Sequence, residues 1–290
     1  MAFGKKKGEE SVENVETPVD RLRRRFKPST ELPAVRGVKV GIYANPKVGK
    51  THFSLTAPLP IFVIDTEGSA KMISKYFDEE RQSQIYIDEI IQWVGKKKGK
   101  FDIVGSLKSM EESIDTITDV ILLSEKGADE LSEEEKERMI IEPGVTGTIV
   151  IDSGTDMWDW LSTWLELEGA TKFNKSDNSM NRTEWGKANK KYADFMYLLL
   201  RCNWNVIWTF RARPVVDARG ADVGITQARY QKNTPFWLEC LFELVQDGMG
   251  NKMIYRGGRF GLVGKIPDLK NPDWPALVKH LEKYSGIKIG

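Results

Sequence analysis

Eight consecutive residues, Ala44-Asn-Pro-Lys-Val-Gly-Lys-Thr51, carry the clearest chemistry in this 290-residue sequence. A loop that closes around phosphates needs successive backbone N–H groups and a glycine that lets them approach. It also needs a lysine for the β and γ phosphates and a hydroxyl for Mg²⁺. Gly49, Lys50 and Thr51 supply the last three in the order Gly-x4-Gly-Lys-Ser/Thr, with Ala44 in place of the first glycine. The candidate nucleotide-binding residues are therefore Ala44, Asn45, Pro46, Lys47, Val48, Gly49, Lys50, Thr51 and the adjoining His52. ATP with Mg²⁺ is the ligand they imply. A second signal is Ile149-Val-Ile-Asp152-Ser153, an apolar run ending in a carboxylate, which is the Walker B pattern. Thr51 and Asp152 are the candidate Mg²⁺ residues, Asp152 acting through water. A third run, Val63-Ile-Asp-Thr-Glu67-Gly68, also ends in carboxylates, and a fourth ends Trp208-Thr209-Phe-Arg211.

These residues act together only if a fold brings the ends of four apolar runs to one edge. Val38–Ala44 alternates and is rich in β-branched residues, which predicts a strand, followed by the loop and a short helix over Thr51–Thr56. Leu59–Asp65 predicts a second strand, nearly all apolar as buried parallel strands are, and Val145–Asp152 and Trp204–Thr209 predict two more. Helical spacing recurs at Trp158, Leu161 and Leu165, and again at Trp185, Ala188, Tyr192, Phe195 and Leu199. Strands alternating with helices predict an α/β fold, a P-loop core with a mostly parallel sheet flanked by helices. Phe242–Gln246 and Lys252–Arg256 bracket Asp247-Gly-Met-Gly250, which predicts an antiparallel hairpin at the sheet edge. Leu277–Tyr284 predicts a closing helix, and the aromatic stripe Trp158, Trp160 and Trp164 reads as packing.

The near balance of 43 Lys plus Arg against 42 Asp plus Glu removes any global charge argument for nucleic acid, so a polyanion would need local patches. Two cysteines and two histidines are too few for a thiolate zinc site, a disulfide framework or a histidine-based triad. The absence of an 18-residue apolar run and of an apolar signal core predicts a cytoplasmic protein. Residues 1–34 mix acids with two basic clusters and read as a flexible arm; 35–290 read as one domain. Residues 95–100 form a basic turn within it, and about 125–142 form an acidic insertion.

Ile64-Asp-Thr-Glu67-Gly68 and Val150-Ile-Asp-Ser153 resemble the corresponding strands of the RecA/RadA class of recombination ATPases. The short helix ending Thr56-Ala-Pro58, directly before that strand, looks closest to the RecA-like ATPases of phages and archaeal viruses, several linked to single-strand annealing. The resemblance spans roughly Val35–Gly261 and is strong over the three motifs. It implies that Glu67 polarises the attacking water while Lys50 neutralises developing charge. It also implies a γ-phosphate sensor at the end of the fourth strand. The class carries Gln or His there; this chain offers Thr209 or Arg211. The class places DNA loops in two regions. One is 171–185, with Lys172, Phe173, Lys175 and Arg182, followed by Lys187, Lys190 and Lys191 on one helical face. The other runs from Arg211 through Arg213 and Arg219 to Lys232; subunit contacts or an exposed hairpin are the alternative for these segments. The class also shares each nucleotide between subunits, which makes Arg229 or Lys232 a candidate cation for a neighbour's site in a ring or filament. The expected function is an ATPase, stimulated by DNA, acting on single strands in recombination or annealing. A hexameric helicase or packaging motor, an ATP-switched binding module without turnover, and a small-molecule kinase remain alternatives.

Overall fold

The apolar runs become central strands because a strand covered by helices on both faces needs apolar side chains on both. The computed structural model describes residues 21, 25–27, 37–94, 99–126, 128–139, 141–173 and 182–289. The chain divides into two units, and the sheet and its helices all belong to the second, Val35–Gly290. The expected N-terminal arm lies almost wholly outside the described residues, as does most of the basic turn.

The strands are β1 (Lys39–Ala44), β2 (Ile61–Asp65), β3 (Ile85–Glu89), β4 (Trp93–Val94), β5 (Lys100–Phe101), β6 (Thr148–Asp152), β7 (Asn205–Val216), β8 (Asp222–Arg229), β9 (Cys240–Asp247), β10 (Gly250–Gly258) and β11 (Leu269–Lys270). The helices are α1 (Lys50–Ser54), α2 (Ala70–Ser74), α3 (Glu79–Gln82), α4 (Ile103–Glu125), α5 (Glu133–Arg138), α6 (Gly154–Phe173), α7 (Arg182–Arg201), α8 (Thr234–Trp237) and α9 (Trp274–Ser285). The main sheet runs β11-β10-β9-β1-β7-β6-β2-β3, with β8 paired to β7. The strands from β9 through β1, β7, β6 and β2 to β3 are parallel; β10, β11 and β8 join antiparallel. Among the described residues no helix is long and apolar enough to cross a membrane.

Every residue of β1, β2 and β6 is buried. The two-residue period of a strand splits their side chains between two cores. Tyr43, Phe62, Ile64, Ile149 and Ile151 pack against Met110, Ile114, Leu161, Tyr192 and Leu199 of α4, α6 and α7. Ile42, Ile61, Val63 and Val150 pack on the other face with Phe53, Leu277 and Leu281 of α1 and α9. Each fully buried side chain of this size contributes about 1.5–3 kcal/mol. The aromatic stripe is packing: Trp158 meets Tyr192 edge-on at 5.5 Å, and Trp160 lies 5.1 Å from Phe101.

Three segments depart from the sequence expectations. The fourth strand does not stop at Thr209, and the expected second loop is a ribbon. β7 continues to Val216 and folds back on β8, with Arg211 opposite Arg229 and Pro214 opposite Thr226. Arg211-Ala-Arg-Pro looks loop-like because strands disfavour proline, but a two-stranded ribbon has free edges where proline costs no ladder bond. The expected first loop is shorter. α6 runs on through Leu165-Glu-Leu-Glu-Gly-Ala to Phe173 and α7 begins at Arg182, so Lys172, Phe173 and Arg182 belong to helices. Lys175 lies outside the described residues. The third departure is α4, whose Leu107, Met110, Ile114, Ile117 and Ile121 recur at helical spacing and are buried. The acidic segment after it holds a 3-10 turn, Ala128–Glu130, and α5, which Ser132 and Glu135 start with a reciprocal capping box.

Candidate functional site

Strand β7 lies between the strand that enters the phosphate loop and the strand that ends in Asp152. Its register sets Thr209 opposite Ile42 and Arg211 opposite Ala44 of β1, and Trp208 opposite Ile151 of β6. Asp65 of β2 lies opposite Asp152. The ends of four parallel strands therefore deliver Lys50, Thr51, Glu67, Asp152, Thr209 and Arg211 to one edge of the sheet.

The loop between β1 and α1 is curled by two left-handed residues, Lys47 at φ 66° and Gly49 at φ 98°. A side chain at position 49 would be strained at that φ. Lys50 follows as the first residue of α1 and is buried. Burial pulls its ammonium below the ordinary lysine range, against the opposing charges of Asp152 and Glu67. Among the described residues no hydrogen-bond acceptor engages that ammonium, so its donors are available to phosphate oxygens.

Asp152 is fully buried. Its Oδ2 accepts from the Thr51 hydroxyl at 2.6 Å, and its Oδ1 accepts from the Thr209 hydroxyl. Burial pushes its carboxyl up to about 6, although both hydroxyls oppose the shift. Among the described residues no cluster of three or more His, Cys, Asp or Glu side chains forms a ready-made metal cage. The adjacent Thr51 hydroxyl and Asp152 carboxylate do fit Mg²⁺, which prefers oxygen donors and takes only one or two carboxylates alongside phosphates and water.

A second network, buried at Asp65, Thr66 and Asp156, holds Glu67 at its exposed end. Asp65 accepts from the backbone N–H groups of Glu67 at 2.9 Å, Gly68 at 2.8 Å and Ala70 at 2.8 Å, which fixes the turn after β2. The Thr66 hydroxyl donates to Asp156 Oδ2 at 2.9 Å and accepts from Ser153 N at 2.7 Å. Arg211 ties the network together. Its Nη2 donates to Asp156 Oδ2 at 2.8 Å and its Nε to Glu67 Oε1 at 3.2 Å. Burial raises the Asp156 carboxyl; the Arg211 charge works against it. The Thr155 hydroxyl accepts from Arg211 N at 3.0 Å and donates to Arg229 O at 2.6 Å, joining the site to the β7–β8 ribbon.

Other candidates lie apart from this cluster. Arg229 Nη2 is 2.7 Å from Asp159 Oδ2 of its own chain. Lys232, Arg213, Lys187 and Lys190 are exposed. Lys191 does not share a free basic face with Lys187 and Lys190. It pairs with Glu111 of α4 and lies 4.6 Å from the centre of the Trp164 ring. His52 stacks on Phe77 with ring centres 5.1 Å apart. Sequence reasoning missed Asp156, Asp65, Thr66 and Thr155. Ser153-Gly-Thr-Asp156 has the Ser/Thr-x-x-Asp/Glu form of a helix start, and Ser153 Oγ does accept from Asp156 N at 3.3 Å, so that signal was present.

The raised Asp152 carboxyl gives a stability prediction with a definite sign. The unfolded chain loses this proton near pH 4 and the folded chain near pH 6. The favourable contribution is therefore present below about pH 4 and lost as pH rises through about 6, a difference of roughly 3 kcal/mol for a 2-unit shift. Asp152→Asn removes that cost, because either threonine hydroxyl can turn to accept from an amide. Without nucleotide, the variant should melt higher than wild type at pH 8, with a much smaller difference at pH 4.5. At pH 8 it should also lose the stabilisation by Mg²⁺-nucleotide. Thermal unfolding at the two pH values checks both; a variant that melts lower at pH 8 would refute the electrostatic reading.

Residues 36–234, more than half of the chain, match the family model described as an AAA domain. No curated protein matches the sequence.

Proposed function

The chain belongs to the AAA-domain family and carries a P-loop ATPase-type domain, and from that premise we propose that it hydrolyses ATP and couples turnover to single-stranded DNA. The observation that carries the proposal is Arg211. It bridges Glu67 and Asp156 at the nucleotide edge and is also the first residue of β7 to pair with β8. A shift of the ribbon therefore changes the partner of the carboxylate that handles water.

Roles follow from position. Lys50 sets its charge against the β and γ phosphates. Glu67 orients a water for in-line attack on the γ phosphorus and draws its proton, while the bond to the bridging oxygen breaks. Arg211 leaves Glu67 and meets the charge that develops on the γ-phosphate oxygens. Thr209 acts through Asp152, holding one carboxylate oxygen so that the other faces Thr51. Thr51 and Asp152 would hold Mg²⁺, which would supply positive charge against that of the phosphates.

The DNA part of the proposal rests on the resemblance to RecA-like recombination ATPases and on exposed cations in the two regions that the resemblance marks. Arg213 stands two residues beyond Arg211 on the same strand, and Lys187 is exposed on α7. Lys172, Lys175 and Arg182 join them by their place in the sequence. The test measures turnover and single-strand binding over a range of salt. Wild type should hydrolyse ATP faster with single strands, and its affinity should fall with a log-log slope of about −0.7 per phosphate contact. Arg213→Ala with Lys187→Ala should weaken binding and flatten that slope by one or two contacts. Turnover indifferent to DNA, with a flat salt response, would refute the DNA assignment and leave an ATPase with a protein partner.

A second copy of the chain completes the site in the same proposal. Lys232 suits the role of donated cation better than Arg229, whose guanidinium already pairs with Asp159. A monomeric mass with non-hydrolysable ATP analogue and single strands together would refute the shared site.

A further inference from the structure

Glu243 stands between Phe242 and Leu244 in the middle of β9, and it is buried. A buried carboxylate is costly unless it is paired and hydrogen-bonded, and no step of the hydrolysis uses this one. Both of its oxygens are engaged. Oε2 accepts from Arg256 Nε of β10 at 2.8 Å and also from Arg256 Nη2. Oε1 accepts from the Thr226 hydroxyl of β8. We propose that Thr226 and Glu243 clasp the β7–β8 ribbon to the sheet and so position Arg211 for turnover. The proposal rests on the ATPase reading and on the role given with it to Arg211, and adds the residues that hold Arg211 in place.

The ribbon needs such a tie. A two-stranded ribbon by itself is marginally stable in water. Within β8, Ala228 is buried and Thr226 half-buried, while Asp222–Ile225 and Gln227 are exposed. Only Thr226 and Ala228 therefore turn towards the body of the domain. Two hydroxyls fasten the ribbon. Thr155 bonds Arg211 N and Arg229 O at its root, and Thr226 reaches Glu243 farther out. Beyond Thr226, among the described residues, no hydrogen bond joins the ribbon to the sheet.

Register places the clasp beside the nucleotide edge. Glu243 lies opposite Tyr43 of β1, and Tyr43 lies opposite Phe210 of β7. The next residues along those two strands, Ala44 and Arg211, face each other at the mouth of the phosphate loop. The Tyr43 hydroxyl donates to Thr226 O at 3.4 Å, so the strand that enters the loop also touches the ribbon at Thr226. Burial, helped by the Glu243 charge, pushes that hydroxyl up to about 12, which keeps it a donor. Thr226 is itself opposite Pro214, three residues beyond Arg211. A ribbon held at Thr155 alone can swing about its root. Held at Thr226 as well, it has one orientation, and the Arg211 guanidinium starts from one place. Misplacing a group that acts on the reacting atoms by about 1 Å costs on the order of 10²-fold in rate.

Steady-state ATP turnover by the full chain, with the melting temperature of each variant, tests the proposal. Thr226→Val is close to isosteric and removes the hydroxyl. It should lower kcat by about 10- to 100-fold and leave KM within a few-fold of wild type. Thr226→Ser returns the hydroxyl and should restore most of kcat. In the Arg211→Ala background Thr226→Val should cost no more than about 2-fold, because the group it positions is already gone. If Thr226→Val fails to fold, Thr226→Ala reads the same quantities. A kcat equal to wild type, a loss that serine does not recover, or a loss that recurs in full without Arg211 would overturn the clasp, while wild-type turnover keeps the ATPase reading. No turnover in wild type would overturn the ATPase reading, and the clasp with it.

Discussion

Glu67→Gln should bind Mg²⁺-ATP with an affinity within a few-fold of wild type and turn it over about 10²–10⁴-fold more slowly. The substitution is close to isosteric, and the turn that carries it is built from backbone N–H groups bonded to Asp65, which it leaves untouched. The amide oxygen can still accept from Arg211, so the fold around the site is kept. What disappears is the charge that draws a proton from water. One further change comes with that loss. The Glu67 charge contributes to raising the Asp152 carboxyl, so the variant should ionise Asp152 at lower pH. Phosphate release measured beside calorimetric binding separates the effects. Equal turnover in both proteins would exclude Glu67 as the group that handles water. No turnover in either would favour a module that ATP switches without being hydrolysed.

The parts of the site legible in the sequence are those in which chemistry and backbone are contiguous. Gly49-Lys50-Thr51 declares a phosphate loop because its donors follow one another along the chain. Asp152 and Glu67 stand at the ends of apolar runs that can only be buried strands. The strand order was not legible, so the partners that depend on it were not either. Thr209 reads as a strand residue with a polar side chain, and only the insertion of β7 between β1 and β6 sets it against Asp152. Asp156 lies four residues past Asp152 and looks like an ordinary acid in a helix's first turn. Its importance comes from Thr66, Ser153 and Arg211 converging on one carboxylate oxygen. The β7–β8 ribbon was open only as the alternative to a loop, because its exposed residues follow solvent rather than a core.

Arg211→Ala should lower turnover by about 10³–10⁵, the range for a cation that meets γ-phosphate charge. Register supports the role, since Arg211 lies opposite Ala44 at the mouth of the phosphate loop. Its side chain is 41% exposed, which leaves it room to move towards a nucleotide. Loss of the guanidinium also strips a charge partner from Asp156, whose side chain is 10% exposed. Burial already raises that carboxyl, so its favourable contribution belongs to the protonated form and is lost as pH rises. Without Arg211 the rise is larger, and the variant should be destabilised more at pH 8 than at pH 5. Arg211→Lys separates the two roles. A lysine ammonium can pair with Asp156 and restore much of the stability at pH 8. It lacks the planar fork that engages Glu67 and Asp156 together and reaches phosphate with two parallel donors. Turnover should therefore stay well below wild type while the melting temperature recovers. If lysine restores both to the same degree, Arg211 acts only as a structural counter-ion, and the γ-phosphate cation must come from Lys50 or from a neighbouring subunit.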